Sequence, residues 1–115
     1  MRSFLIVLFL GFPLAVTAEP DEKTAIQELK DLGAVVFQHA KSNRVSEVKL
    51  NAIAKLKNAD LAHLSGFSEM TDLSLEETKV SGEGLQHIAK LQRIEWLNLW
   101  ETKVDNKGLA HLKKL

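Results

Sequence analysis

The chain has 115 residues, 45% of them hydrophobic, and its 15 basic and 15 acidic side chains leave no formal net charge. That composition fits one small globular domain and carries no signature of disorder. Nothing in the balanced charge suggests a surface built for a polyanion, so nucleic acid is not expected as a partner. The absence of cysteine excludes a disulfide framework, so the domain has to hold together by packing.

Met1-Arg2-Ser3 is a short basic start, residues 4–12 are a dense apolar run, and Pro13 breaks it. Val16-Thr17-Ala18 then places compact residues where a signal peptidase reads, ahead of the polar Glu19-Pro20-Asp21-Glu22. Residues 1–18 are therefore read as a signal peptide, and the protein as secreted, periplasmic or displayed at the cell surface. The run is shorter than the about 20 apolar residues a membrane span needs, and an uncleaved anchor is the alternative.

Residues 19–44 are expected to form an N-terminal cap. Ala25, Ile26, Leu29 and Leu32 fall at helical spacing and Gly33 follows, which predicts a helix stopped by glycine. Residues 34–38 are β-branched and aromatic, and Lys41-Ser42-Asn43-Arg44 is a polar turn. Together they predict a hairpin whose second strand begins at Val45.

From residue 45 onward the sequence repeats itself. Leu73 and Leu75 map onto Leu97 and Leu99, Glu77-Thr78-Lys79-Val80 onto Glu101-Thr102-Lys103-Val104, Gly84-Leu85 onto Gly108-Leu109 and His87 onto His111, all at a spacing of 24. A degraded earlier copy has Val48 and Leu50 at a spacing of 25 and Leu56, Leu61, His63 and Leu64 at 24, so one extra residue lies between Leu50 and Leu56. Within a unit, Leu-x-Leu alternates as a strand does, and Leu85, Ile88 and Leu91 keep helical spacing. Three strand-helix units, about 45–69, 70–93 and 94–115, are expected, which is the usual minimum for a shared core. Ser81 and Asp105 are placed to cap the helices, and Thr78 and Thr102 to bond the bend after each strand. The last core layer, ending at Lys113-Lys114-Leu115, is expected to be open, with no polar terminal repeat to shield it.

Met70-x-x-Leu73-x-Leu75-x-x-Thr78-x-Val80 and Ile94-x-x-Leu97-x-Leu99-x-x-Thr102-x-Val104 resemble the leucine-rich-repeat signature, with threonine in place of the usual asparagine. With the Gly-Leu-x-His-Leu that follows, they are similar to repeats of secreted and surface bacterial proteins. The resemblance covers roughly the last 70 residues. It implies an α/β fold, a short leucine-rich-repeat solenoid with a parallel sheet on its concave face, and for function it implies binding.

Residues between the core leucines of each strand should line that concave face, in the columns Glu47/Asp72/Trp96, Lys49/Ser74/Asn98 and Asn51/Glu76/Trp100, with adjacent strands about 4.8 Å apart. Both tryptophans of the chain project from one strand. Exposed tryptophan is enriched at binding hot spots, so Trp96 and Trp100 lead the candidates, with Asn98, Asp72, Ser74 and Glu76 as polar neighbours. The competing reading has these rings covering the end of the array, against a further repeat, another subunit or the tail. A protein or peptide is the expected partner, a carbohydrate stacked on the rings is a lesser possibility, and self-association through the open end, or a fragment of a longer repeat protein, is the structural alternative.

His39, His63, His87 and His111 are also spaced by 24, but three of them occupy one repeat position and no carboxylate or cysteine recurs beside them. They are read as repeat grammar, with no metal and no cofactor expected. Glu47, Asp72 and Glu76 could in principle bind a hard cation, but a calcium site takes six to eight oxygens and usually a shaped loop, so a solvated acidic face is expected. Ser81-Gly82-Glu83-Gly84 lacks the Gly-Lys-Ser/Thr ending of a phosphate loop. No nucleophile elbow, metalloprotease helix or cysteine nucleophile is present, so the protein is not expected to be an enzyme.

Overall fold

The computed structural model describes residues 22–112; the proposed targeting segment, residues 1–18, lies outside them. Helix α1, Glu22–Leu32, buries Ala25, Ile26 and Leu29 on one face. Gly33, at φ 110°, ends it. The Gly33 N–H donates to the Lys30 carbonyl and the Ala34 N–H to the Leu29 carbonyl, both at 3.0 Å. That pair of bonds forms a Schellman cap, in which a left-handed residue satisfies the last helical carbonyls and glycine carries no Cβ penalty.

A hairpin follows, β1 (Val35–Gln38) antiparallel to β2 (Val45–Lys49). Phe37 faces Glu47 but Gln38 faces Val45, so Ser46 is an extra, bulged residue, and its hydroxyl donates to the Phe37 carbonyl at 3.2 Å. The bulge lets Val45 and Val48 both point inward, where each is fully buried. The cap is tied to β2 through Glu22, whose carboxylate accepts from the Val45 backbone N–H at 3.1 Å and from the Arg44 guanidinium.

Two further strands, β3 (Asp72–Ser74) and β4 (Trp96–Asn98), add in parallel, giving a four-stranded, mostly parallel open sheet in the order β1-β2-β3-β4. Val48, Leu73 and Leu97 align across the three parallel strands on the core side. The ladder extends past the strands, with Ala52 N–H donating to the Glu76 carbonyl and Glu77 N–H to the Trp100 carbonyl. Each parallel strand is followed by a left-handed residue at one repeat position, Ala52, Glu77 and Glu101, with φ of 58°, 58° and 57°. None is glycine, and a left-handed turn at such a residue costs about 1–2 kcal/mol. The Thr78 and Thr102 hydroxyls then donate to the Leu75 and Leu99 carbonyls, each at 2.7 Å, and hold the bend. In the first unit Ile53 stands at the equivalent place, half-turned toward Gly33 of the cap, 3.7 Å from where a Cβ there would be.

The return segments are shorter than their helical spacing predicts. They comprise a 3-10 segment, Asn58–Leu64, then helix α2, Gly82–Leu85, and helix α3, Asn106–Leu109, which runs into a 3-10 turn at Ala110–Leu112. Beyond α2 the chain proceeds by i to i+3 bonds, Ile88 N–H to the Leu85 carbonyl and Leu91 N–H to the Ile88 carbonyl. Asp105 caps α3, accepting from the Gly108 N–H at 2.9 Å. Ser81 does not cap α2 with its side chain: the Asn58 amide accepts from the Ser81 N–H and donates to its hydroxyl, both at 2.9 Å, clamping one unit to the next.

The return segments lie side by side, α2 between the 3-10 segment and α3. A Cβ on Gly82 would fall 2.4 Å from the Gly108 Cα, and one on Gly108 2.5 Å from the Gly82 Cα. Only paired glycines let these backbones approach so closely. Between sheet and return segments lies one core, with Leu50, Leu61, Leu64, Met70, Leu73, Leu75, Leu85 and Ile88 fully buried. Each such leucine contributes roughly 1.5–3 kcal/mol by leaving water. Burial fades in the last unit, where Leu97, Leu99, Val104 and Leu112 are only partly covered and Leu109 is 45% exposed. Among the described residues no helix is long and apolar enough to cross a membrane.

Candidate binding face

The side of the sheet away from the core is built by strand alternation. Leu73, Leu75 and Val48 point inward, so Glu47, Lys49, Asp72, Ser74, Trp96 and Asn98 point outward. The pairing places them in two rows, Glu47-Asp72-Trp96 and Lys49-Ser74-Asn98. Glu76 and Trp100 follow where the ladder continues. All six candidate residues are thus brought to one face.

The hairpin adds residues that the sequence did not bring into this face. Val35 pairs with Lys49 and Phe37 with Glu47, so both extend the same rows, and they are 51% and 45% exposed. The signal was available in the alternation of Val35 and Phe37 against Val36, but it needed the antiparallel pairing to assign a side. The outer face therefore runs from an aliphatic and aromatic edge on β1, over a charged middle, to Trp96 and Trp100, which are 49% and 59% exposed. The two aromatic edges are three strand spacings apart, about 14 Å.

The middle is unevenly charged. Lys49 leans toward the hairpin, its Nζ 3.6 Å from a Glu47 carboxylate oxygen and 5.6 Å from the centre of the Phe37 ring. Toward β4, the Thr71 hydroxyl donates to Asp72 at 2.6 Å and the Asn98 amide donates to Glu76 at 2.7 Å. The Asn98 amide oxygen accepts from the Trp100 N–H at 2.9 Å, which fixes the turn that carries this ring. Ser74, expected as an open polar contact, is instead buried, and its hydroxyl has no hydrogen-bond partner. Small and central, it sits between the longer side chains of its own and neighbouring strands.

The return segments carry His63, His87 and His111 on the opposite side of the molecule, and His39 lies in the hairpin turn, where its N–H donates to the Arg44 carbonyl. Among the described residues no three histidines, aspartates or glutamates come together as a metal site. Ser81, Gly82 and Glu83 line a shallow groove with Lys103, Asp105, Lys107, Gly108 and His111, where the glycines serve the close approach of α2 and α3. Compared with protein-family models, curated proteins and solved structures, the chain matches none.

Proposed function

We propose that the chain is a short leucine-rich-repeat solenoid of about three strand-helix units, exported to the secreted, periplasmic or cell-surface space. On this reading it is a binding module and not an enzyme, and it takes a protein or peptide on the outer, concave face of its sheet. The observation that carries the reading is the pair of half-exposed tryptophans, Trp96 and Trp100, standing on one strand of that face. Tryptophan is enriched at binding hot spots, and exposed apolar side chains grouped on one face mark interfaces. The in-register rows and the recurring threonine bend support the repeat assignment, and residues 1–18 support export.

Screening the purified protein against a random peptide array and a glycan array tests it. Peptide ligands are expected, and their binding should disappear when Trp96 and Trp100 are both replaced by alanine. Ligands that bind the double variant equally well would overturn the face assignment, and glycans alone would replace the peptide with a sugar.

A second reading is favoured by the exposed last layer. With Leu109 open to solvent and β4 an edge strand, the array is able to stack on a second copy or a further repeat, the tryptophans serving as its cover. Light scattering across a concentration series separates the two: a constant monomer mass is expected for the binding module, and a mass rising with concentration for self-association.

A further inference from the structure

This inference rests on the outer-face reading and names the chemistry of the ligand. We propose that the half of the outer face between β3 and β4 holds a cationic side chain of an extended peptide, an arginine for preference. Asp72, Glu76 and Ser74 would receive its N–H groups beneath the rings of Trp96 and Trp100.

The β3 row Asp72, Ser74, Glu76 is a line of acceptors in want of donors. Each carboxylate has one oxygen engaged within the protein, by Thr71 and by Asn98; the second oxygen of each has no partner among the described residues. Between them, Ser74 is 2% exposed with an unpartnered hydroxyl oxygen. A buried polar atom left unpaired is destabilising, and an incoming donor would recover that cost. Asn98, paired with Ser74 across the ladder, gives one amide N–H to Glu76 and accepts from the Trp100 N–H with its oxygen, and makes no bond to Ser74. Lys49, paired with Ser74 in the ladder, is drawn the other way by Glu47 and Phe37.

Two carboxylates with no ion pair among the described residues, beside exposed indole rings, are the surroundings in which a cation gains most, by charge pairing and by attraction to the ring faces. Same-face neighbours on a strand lie about 7 Å apart. A guanidinium, with five N–H donors in a planar fork, spans Ser74 and either carboxylate better than a compact ammonium does. Glu95, exposed beside Trp96, adds negative charge. Glu77 and Glu101 share their groove with Lys79 and Lys103 and contribute little.

The chain has two tryptophans and no tyrosine, so its intrinsic fluorescence reports this site alone. Titrating the purified protein with tetra-arginine should give a saturable change in that fluorescence, weakened by added salt. Tetra-lysine should bind less tightly, free arginine less tightly still, and tetra-glutamate not at all. The near-isosteric D72N/E76Q variant, its fold checked by far-ultraviolet circular dichroism, should lose about tenfold or more in affinity for tetra-arginine. No saturable change, equal affinity in the variant, or equal binding of tetra-glutamate would overturn the proposal. A neutral peptide from the array that binds in a tryptophan-dependent way, while tetra-arginine does not, overturns only the cationic ligand. Failure of every peptide overturns the binding face with it.

Discussion

Replacing Leu85 by alanine is expected to cost about 3–4 kcal/mol of stability, and replacing Leu109, the same repeat position one unit later, under about 1 kcal/mol. Each leucine is the second residue of the same Gly-Leu dipeptide and the last residue of its helix, α2 or α3. What differs is the next layer. Leu85 is fully buried, with a complete unit on each side, whereas Leu109 is 45% exposed. Deleting a side chain from the first site leaves a cavity that its packed neighbours cannot close, and deleting it from the second leaves space that water already reaches. Urea unfolding of the two variants at one protein concentration measures both costs. Equal losses would mean that the last layer is covered in solution, which is the outcome that stacking on a second copy requires.

Joint replacement of Trp96 and Trp100 by alanine is expected to cost about 2–4 kcal/mol in binding, roughly 30- to 1000-fold in Kd. Stability should change by under about 1 kcal/mol, because both rings are already half in water. The contrast between the two quantities is informative. A ring that only covers the end of the core would show the reverse, a loss of folding stability with no change in the titration of an array-derived peptide. Asn98 is the control: its amide oxygen holds the Trp100 N–H, so disturbing it displaces the ring without removing it.

The rows of the outer face were legible because the repeat fixes phase. Once Leu73 and Leu75 align with Leu97 and Leu99, alternation sends Asp72, Ser74, Trp96 and Asn98 to the other side, and the observed pairing of Asp72 with Trp96 and Ser74 with Asn98 follows. The cap was legible for a similarly local reason, since Gly33 is the residue able to turn left-handed where the apolar stripe of α1 ends.

What was not legible depends on contacts between units. Ser81 carries the oxygen of a helix cap, but Asn58, 23 residues earlier, reaches its N–H and hydroxyl first. Leu85, Ile88 and Leu91 keep helical spacing, yet the chain at Ile88 and Leu91 runs in i to i+3 turns, a geometry that the same three-residue spacing of apolar residues serves equally well. Phe37 reads as a strand aromatic in isolation; its side is decided by the Ser46 bulge and the pairing with Glu47. Ser74 reads as an exposed polar residue, and only its position between longer neighbours makes it buried and unpaired.

Binding on the outer face requires that Trp96 and Trp100 stand open on the last parallel strand, half in water and unobstructed. Tryptophan emission and acrylamide quenching of the folded protein at low concentration test it most directly. The expected result is a red-shifted emission readily quenched by acrylamide, short of free tryptophan because each ring is half covered. A blue-shifted emission shielded from acrylamide would contradict it, placing the rings inside a core or an interface already filled.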